Sequence, residues 1–216
     1  MSKKNISQEK IIQAFLTSAF ERSAGATSLQ DVAASLEIKK ASLYNHFESR
    51  DAMYDASIAY CSENISKVDF LTPKLLETLS AGKTTGPAVI KKLISRYFSL
   101  FDSEPLFKMY VFVHAEQYFN AKALKIVQSQ SEKIAEDIKT IFTECIKDKS
   151  ETEIKELASA CTCIILEQLD AYIAVSKETI RQNPETGAGS LFELPSDNNI
   201  INKASRLVEA FVNSVI

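Results

Sequence analysis

Side chains that donate hydrogen bonds are concentrated in one short stretch near the start of the chain. They are Lys39, Lys40, Ser42, Asn45 and His46, with Tyr44 at the edge of the set. No Asp or Glu lies between Lys39 and His46. Donors of this kind bind phosphate oxygens and base edges, and a helix is narrow enough to enter the major groove of DNA. The stretch therefore indicates a DNA-facing surface, provided that neighbouring elements hold it outward.

Two short helices joined by a tight corner are predicted over residues 27–47. Their apolar residues recur at helical spacing on one face of each helix, at Leu29, Val32, Ala33, Leu36, Leu43 and Phe47. Ile38 falls at the corner, and Thr27 is the expected N-cap, with Gln30 completing a capping box. The second helix is too short to be stable alone, so it must pack on the first.

A helix on each side of this pair is also predicted. Ser7 to about Arg22 is amphipathic, and Gly25 is the expected C-cap that ends it. Ser49 is a good N-cap for a further helix, in whose first turn Arg50 lies against the helix dipole, at a cost of about 0.3–1 kcal/mol. A contact to a DNA phosphate and a solvated surface charge both account for Arg50.

Helical periodicity continues to the end of the chain, and no strand pattern interrupts it. The further helices are predicted at Pro73–Leu79, Ala88–Phe101, Glu104–Phe119 (with Pro105 in its first turn), Ala121–Lys147, Glu151–Arg181 and Asn199–Val215. Breakers predict loops at Ala81–Pro87 and Asn183–Asn198. An apolar stripe along Glu151–Arg181, which includes Cys161, is typical of a helix-bundle seam. The fold class is therefore all-α.

Charge and composition exclude several classes of protein. Residues 1–50 hold seven Lys or Arg against five Asp or Glu, whereas the other 166 residues hold 18 against 23. This suits a small DNA-facing part joined to a larger part that does not touch DNA. The four Cys have neither disulfide-framework nor zinc spacing, and two His without a paired motif predict no enzyme, metal or cofactor. No leader follows Lys3 and Lys4, and no apolar run approaches a membrane span, so we expect a cytoplasmic protein without membrane contact.

The order of residues from Val32 to Arg50 resembles the N-terminal domain of the TetR family of bacterial transcriptional regulators. Its most specific part is Ala41-Ser42-Leu43-Tyr44-Asn45-His46-Phe47, followed by Ser49-Arg50, and the match extends over about residues 7–67. Two positions depart from the family pattern. Glu37 occupies a corner that usually carries Gly, and Lys39 stands where Ser or Thr is frequent. A left-handed corner costs a non-Gly residue about 1 kcal/mol.

The resemblance implies roles for the matching residues. Thr27 and Ser28 would contact a phosphate at the start of the first motif helix. Lys39, Lys40, Ala41 and Ser42 would line the groove entrance, and Tyr44, Asn45 and His46 would reach phosphates or base edges. Arg50 stands at a position where the family usually has a Lys bound to a phosphate.

The predicted architecture is a helix-turn-helix DNA-binding domain at residues 1–50, followed by an all-helical ligand-binding and dimerisation domain at residues 51–216. Aromatic side chains of the second domain can line a ligand pocket or form ordinary core; the pocket candidates are Phe98, Phe101, Tyr110, His114, Tyr118 and Tyr172. Helices Glu151–Arg181 and Asn199–Val215 would pair with their copies in a homodimer. The predicted function is a repressor of a pseudo-palindromic operator on double-stranded DNA, released by a small molecule. The alternative is a ligand-binding helical protein that has lost DNA binding.

Overall fold

The computed structural model describes residues 6–182 and 198–215, and all regular elements in these ranges are α-helices. They are α1 (Gln8–Arg22), α2 (Leu29–Ser35), α3 (Lys40–Leu43), α4 (Arg50–Ser66), α5 (Pro73–Ser80), α6 (Gly86–Phe101), α7 (Leu106–Glu116), α8 (Ala121–Cys145), α9 (Glu151–Gln182) and α10 (Asn198–Val215). The all-α prediction is confirmed. The predicted loop at Asn183–Asn198 lies outside the described residues except for Asn198, which begins α10.

Two predicted helix starts are wrong. Helix α6 begins at Gly86, inside the predicted loop, because the Thr85 hydroxyl accepts a hydrogen bond from the Ala88 N–H and caps the helix two residues early. Pro105 precedes α7, which begins at Leu106, instead of lying in its first turn. Helix α7 also ends at Glu116, and Asn120 then accepts a hydrogen bond from the Lys122 N–H at 2.8 Å to start α8.

The chain divides into two compact units. Unit 1 consists of Met1–Lys67 and Lys108–Val127. Within it α1 packs against α2 and α4, and α2 packs against α3. Phe15, Tyr54 and Phe112 form an edge-to-face aromatic cluster, with ring centroids 5.9 to 6.3 Å apart. The second segment of unit 1 thus contributes to the same core as α1 and α4.

Polar contacts reinforce this core at α4. The Tyr54 hydroxyl donates a hydrogen bond to the Glu116 carboxylate at 2.7 Å, and Lys122 lies 3.6 Å from Asp55. Burial, followed by the Glu116 carboxylate, raises the pKa of Tyr54 to about 12. Two consecutive side chains of α4, Tyr54 and Asp55, therefore contact the end of α7 and the start of α8.

Unit 2 consists of Val68–Phe107 and Gln128–Ile216. Helix α6 packs against α5, α9 and α10, and α10 also packs against α9. The predicted stripe on α9 is confirmed as core for most of its members; Ile154, Ala158, Cys161, Ile165, Leu169 and Tyr172 are buried. Next to this apolar core, the Gln130 amide donates a hydrogen bond to the Tyr97 hydroxyl at 2.7 Å.

Helix α9 meets the length and composition criterion for a membrane span, contrary to the expectation that no stretch of the chain would. This is weak evidence, because core helices of soluble proteins meet the same criterion, and α9 buries Ile165 and Leu169 within unit 2. Among residues 6–182 and 198–215, no three His, Cys, Asp or Glu side chains lie together in a group that could hold a metal ion.

Candidate nucleic-acid interface

Helix α2 is capped by Ser28, not by Thr27 as predicted. The Ser28 hydroxyl accepts a hydrogen bond from the Asp31 N–H at 3.2 Å, and the Asp31 carboxylate accepts one from the Ser28 N–H at 2.9 Å. The same serine holds the pKa of Asp31 below its usual value, with a smaller contribution from Arg22 at 2.9 Å. Sequence reasoning missed this capping box, although Ser followed three residues later by Asp is a readable signal.

Thr27 is only 1% exposed. Its hydroxyl donates a hydrogen bond to the Ser23 carbonyl at 2.9 Å, so burial and this bond make Thr27 a core residue of the α1–α2 turn. The prediction that its side chain contacts a phosphate is therefore wrong. The exposed Ser28 remains at the start of α2, where its hydroxyl also donates to Asp31.

The end of α1 also differs from prediction, because Ser23 and not Gly25 is the C-cap. Ser23 has φ 101°, and its N–H donates to the Ala19 carbonyl at 2.8 Å. The chain leaves the helical path at Ser23 because a φ of 101° lies outside the right-handed helical region, so α1 ends at Arg22. Gly25, two residues later, has no role as a cap.

The corner between α2 and α3 adopts the left-handed conformation at Glu37, with φ 55°. The Ile38 N–H donates to the Ala33 carbonyl at 3.0 Å and closes the turn. Glu37 thus occupies the backbone geometry that the family pattern assigns to Gly, and the corner keeps its shape at the cost of some strain.

Helix α3 buries one side and exposes the other. Leu43 and Phe47 are 1% and 8% exposed and pack toward α2, whose Val32 and Ala33 are fully buried. The outer side carries Lys39, Lys40, Ala41, Tyr44 and Asn45, all exposed, with Ser42 and His46 half-buried. Tyr44 is 51% exposed although it is large and aromatic. We call this outer side the donor face; it contains seven of the ten predicted DNA-binding residues.

The Arg50 guanidinium donates its hydrogen bonds to the turn between α1 and α2, not to the donor face. Its Nε donates to the Thr27 carbonyl at 2.8 Å, and a terminal nitrogen donates to the Ala24 carbonyl. The guanidinium also lies 5.9 Å from the centre of the Phe15 ring. These contacts join the first turn of α4 to the α1–α2 turn. No sequence signal predicts them, since the partners are backbone carbonyls more than twenty positions away.

The predicted ligand-pocket residues fall in both units. In unit 2, Phe98, Phe101 and Tyr172 are buried, and the rings of Phe98 and Tyr172 have centroids 5.8 Å apart. In unit 1, Tyr110 and His114 stack with ring centroids 3.8 Å apart. Tyr118 is 80% exposed, so the prediction that it lines an enclosed pocket is wrong; it lies in the turn between α7 and α8.

The N-terminal part of the chain is similar in sequence to known proteins. A family model described as bacterial regulatory proteins, tetR family, matches residues 11–57. The negative transcriptional regulator IcaR of the biofilm operon icaADBC in Staphylococcus aureus strain Newman is 38% identical over 61 residues, which cover 28% of this chain and 33% of IcaR. IcaR of Staphylococcus epidermidis is 36% identical over 64 residues, or 30% of this chain and 34% of that protein. The chain thus spans about a third of the length of these curated relatives.

Solved structures match over nearly the whole chain. A TetR-family regulator of Mesorhizobium loti superposes with a TM-score of 0.60 at 15% identity, covering 99% of this chain and 98% of that one. A TetR-like regulator of Rhodococcus sp. RHA1 gives 0.59 at 15% identity, with 98% and 96% covered. At such low identity these likenesses show the fold. The sequence likeness to the tetR family of bacterial regulatory proteins thus covers residues 11–57, and over the rest of the chain the likeness to TetR-family structures is one of fold.

Proposed function

We propose that the protein is a cytoplasmic DNA-binding transcriptional regulator, acting as a homodimeric repressor that a small molecule releases from its operator. The relatives matched over the N-terminal part are negative transcriptional regulators. Residues 1–50 would bind DNA, and residues 51–216 would bind the ligand and form the dimer. The proposal includes no enzymatic activity and no cofactor.

The donor face is the observation that carries the proposal. Helix α3 and the residues on either side of it expose Lys39, Lys40, Tyr44 and Asn45, while Leu43 and Phe47 are buried behind them. Exposing a large aromatic side chain beside cations has no benefit for packing. It does suit a surface that contacts phosphates and base edges in a major groove.

The resemblance to the TetR family suggests individual roles, and the exposure of the side chains is compatible with most of them. We assign Lys39, Lys40, Ala41 and Ser42 to the groove entrance, and Tyr44, Asn45 and His46 to phosphates or base edges. Ser28 remains a candidate phosphate contact at the start of α2. Arg50 we assign to positioning the α1–α2 turn, because its guanidinium is bound to the Thr27 and Ala24 carbonyls.

Helices α9 and α10 are the proposed dimer surface. They pack on each other within one chain, and each also exposes an apolar side chain, Val175 at 45% and Leu207 at 43%. Two copies would form a four-helix bundle, which sets the spacing of two donor faces to about one turn of DNA. A ligand that favours another spacing would weaken operator binding.

Operator binding by point variants tests the proposal. Labelled duplex from the region upstream of the protein's own gene is titrated with wild type, Lys40→Ala and Tyr44→Ala by fluorescence anisotropy at several salt concentrations. Loss of one good contact costs about 1–3 kcal/mol, which raises Kd by about fivefold or more. Lys40→Ala should also lower the salt slope by about 0.9 for each phosphate that the variant no longer neutralises.

Matched controls use the same side chains elsewhere. Lys83 is an exposed lysine of unit 2, and Tyr118 is an exposed tyrosine outside the donor face. Lys83→Ala and Tyr118→Ala should bind DNA as wild type does. Equal affinities for all four variants would remove the donor face from the mechanism. If wild type itself binds neither this duplex nor nonspecific DNA at low salt, the alternative of a ligand-binding protein without DNA binding takes its place.

A further inference from the structure

A cavity of about 390 Å³ lies between helices α6 and α10 of unit 2, which pack on each other. Its lining consists entirely of polar or charged side chains, namely Lys91 from α6 and Asn202, Ser205, Arg206 and Glu209 from α10. Four of the five residues are exposed, whereas Ser205 is only 6% exposed. The cavity is therefore open to solvent and includes one buried hydroxyl group.

The four lining residues of α10 form one stripe along the helix, because they recur at i, i+3, i+4 and i+7. Leu207, which belongs to the proposed dimer surface, lies on a different side of α10. Successive residues of a helix are rotated by about 100°, which places Leu207 about 100° from Arg206 and about 160° from Ser205 and Glu209. The proposed dimer surface and the cavity therefore use different faces of α10.

The charges of the lining favour an anion. Lys91 and Arg206 contribute two positive charges and Glu209 contributes one negative charge, so the cavity has a balance of 2 − 1 = +1. Arg206 and Glu209 lie three positions apart on α10, a spacing at which oppositely charged side chains can pair. No salt bridge within residues 6–182 and 198–215 includes either of them or Lys91. The charges that line the cavity are thus not neutralised by one another.

The hydrogen-bonding groups divide into two kinds. Lys91, Asn202, Ser205 and Arg206 all carry donors, which suit the oxygens of a phosphate or a carboxylate, and the arginine fork can bind two such oxygens at once. The Glu209 carboxylate only accepts hydrogen bonds when it is ionised, so it suits an ammonium group. No apolar side chain of the lining would receive an apolar ligand, and a divalent metal ion would meet two cations and a single carboxylate.

We propose that the cavity between α6 and α10 binds a small zwitterion, a molecule that carries a phosphate or carboxylate group and an ammonium group. The oxyanion binds to Lys91 and Arg206, and the ammonium group binds to Glu209. Asn202 and Ser205 donate further hydrogen bonds to the oxyanion. The proposal goes beyond the proposed function and does not depend on it, since the site lies within unit 2 and is tested without DNA.

Isothermal titration of the full-length protein, at low salt and in a buffer without phosphate, tests the site with two zwitterions. O-phosphoethanolamine and β-alanine carry the same ammonium group but a phosphate and a carboxylate, respectively, so the tighter of the two identifies the oxyanion. It should bind with a Kd of about 1 mM or lower. Ethanolamine, which lacks the oxyanion, should bind at least about tenfold more weakly. Ethyl phosphate or propionate, which lacks the ammonium group, should bind at least about threefold more weakly.

Variants with matched neighbours locate the site. Lys91→Gln and Arg206→Gln should each weaken binding of the tighter zwitterion at least about fivefold. Lys92→Gln and Lys203→Gln alter exposed lysines that adjoin the two helices' lining residues in sequence or lie on the next turn but do not line the cavity, and each should change the affinity less than about twofold. Glu209→Gln should abolish the advantage of the zwitterion over its analogue without the ammonium group.

A Kd weaker than about 10 mM for both zwitterions would overturn the proposal, and this measurement needs only the wild-type protein. Equal losses in the Lys92→Gln and Lys203→Gln variants would also overturn it, because they would indicate general attraction to a positive surface. So would an analogue without the ammonium group that binds wild type as tightly as the zwitterion does. Operator binding is measured separately, so zwitterion binding without operator binding would refute the proposed function and leave this site standing.

Discussion

Substitution of Arg50 tests whether this side chain stabilises the candidate DNA-binding interface. It donates from a charged group to the Thr27 and Ala24 carbonyls, and its side chain is 32% exposed. Hydrogen bonds from charged groups contribute about 1.5–3 kcal/mol each, and partial exposure favours the lower end. Arg50→Ala should therefore lower the free energy of unfolding of unit 1 by about 2–4 kcal/mol. Urea unfolding, followed with a probe in unit 1, measures this loss.

The salt dependence of operator binding separates positioning from direct contact. A phosphate contact contributes about 0.9 to the slope of log K against log salt. Because Arg50 is bound to backbone carbonyls, Arg50→Ala should weaken operator binding at every salt concentration and leave the slope unchanged. Arg50→Lys should recover only part of the affinity, since a single ammonium does not reproduce the fork that reaches both carbonyls.

Arg96 is the matched control for Arg50. Its guanidinium donates to the carbonyls of Asp69 and Phe70, at 2.6 and 3.2 Å, but it lies in unit 2. Arg96→Ala should destabilise unit 2 without changing the contacts that we propose between the donor face and DNA. A slope reduced by Arg50→Ala as much as by Lys40→Ala, with unfolding free energy unchanged, would refute the positioning role and restore Arg50 as a phosphate ligand.

Three further predictions address strain, reactivity and titration. Glu37→Gly should stabilise unit 1 by about 1 kcal/mol in urea unfolding, because φ 55° suits Gly; destabilisation would contradict the strain argument. Cys163, which is exposed, should react with a thiol reagent at pH 8 before Cys61 and Cys161, whose pKa values burial raises to about 12; equal rates in native protein would be inconsistent with the core. The pKa of Tyr54 rises from 10.0 to about 12 on folding, so stability is lost as pH increases through this window, and Tyr54→Phe should lose less; identical pH profiles would exclude the buried phenol.

The helices could be predicted from apolar periodicity because a long apolar stripe on a helix becomes its buried face when the chain packs. The stripe of α9 and the N-cap at Ser49 are as predicted. Local choices between neighbouring residues were harder. Thr27 and Ser28 are both good caps, and the choice depended on which side chain the core could bury. Sequence spacing contains no information on that choice, since the burial of Thr27 depends on its bond to Ser23 in the preceding turn.

The donor face was readable for a different reason. A surface proposed to bind DNA has to be exposed, so its side chains depend little on tertiary partners, and residue type alone points to them. Roles that depend on how side chains pack in the core are harder to predict from the sequence. The predicted pocket set mixed Phe98 and Tyr172, which touch each other in unit 2, with the exposed Tyr118. Aromatic residues pack in a core as readily as in a pocket, so composition does not distinguish the two.

Two charges break the same rule about helix ends, and their contacts explain one of them. Arg50 lies at the positive end of α4, and the Thr27 and Ala24 carbonyls offset that placement from within the chain. Asp102 lies at the negative end of α6, and its buried Oδ1 has no donor among the described residues. A misplaced charge with internal partners is a structural device. Burial raises the pKa of Asp102, and the negative end of the α6 dipole acts in the same direction, so this carboxyl group binds a proton more readily than it would in solution.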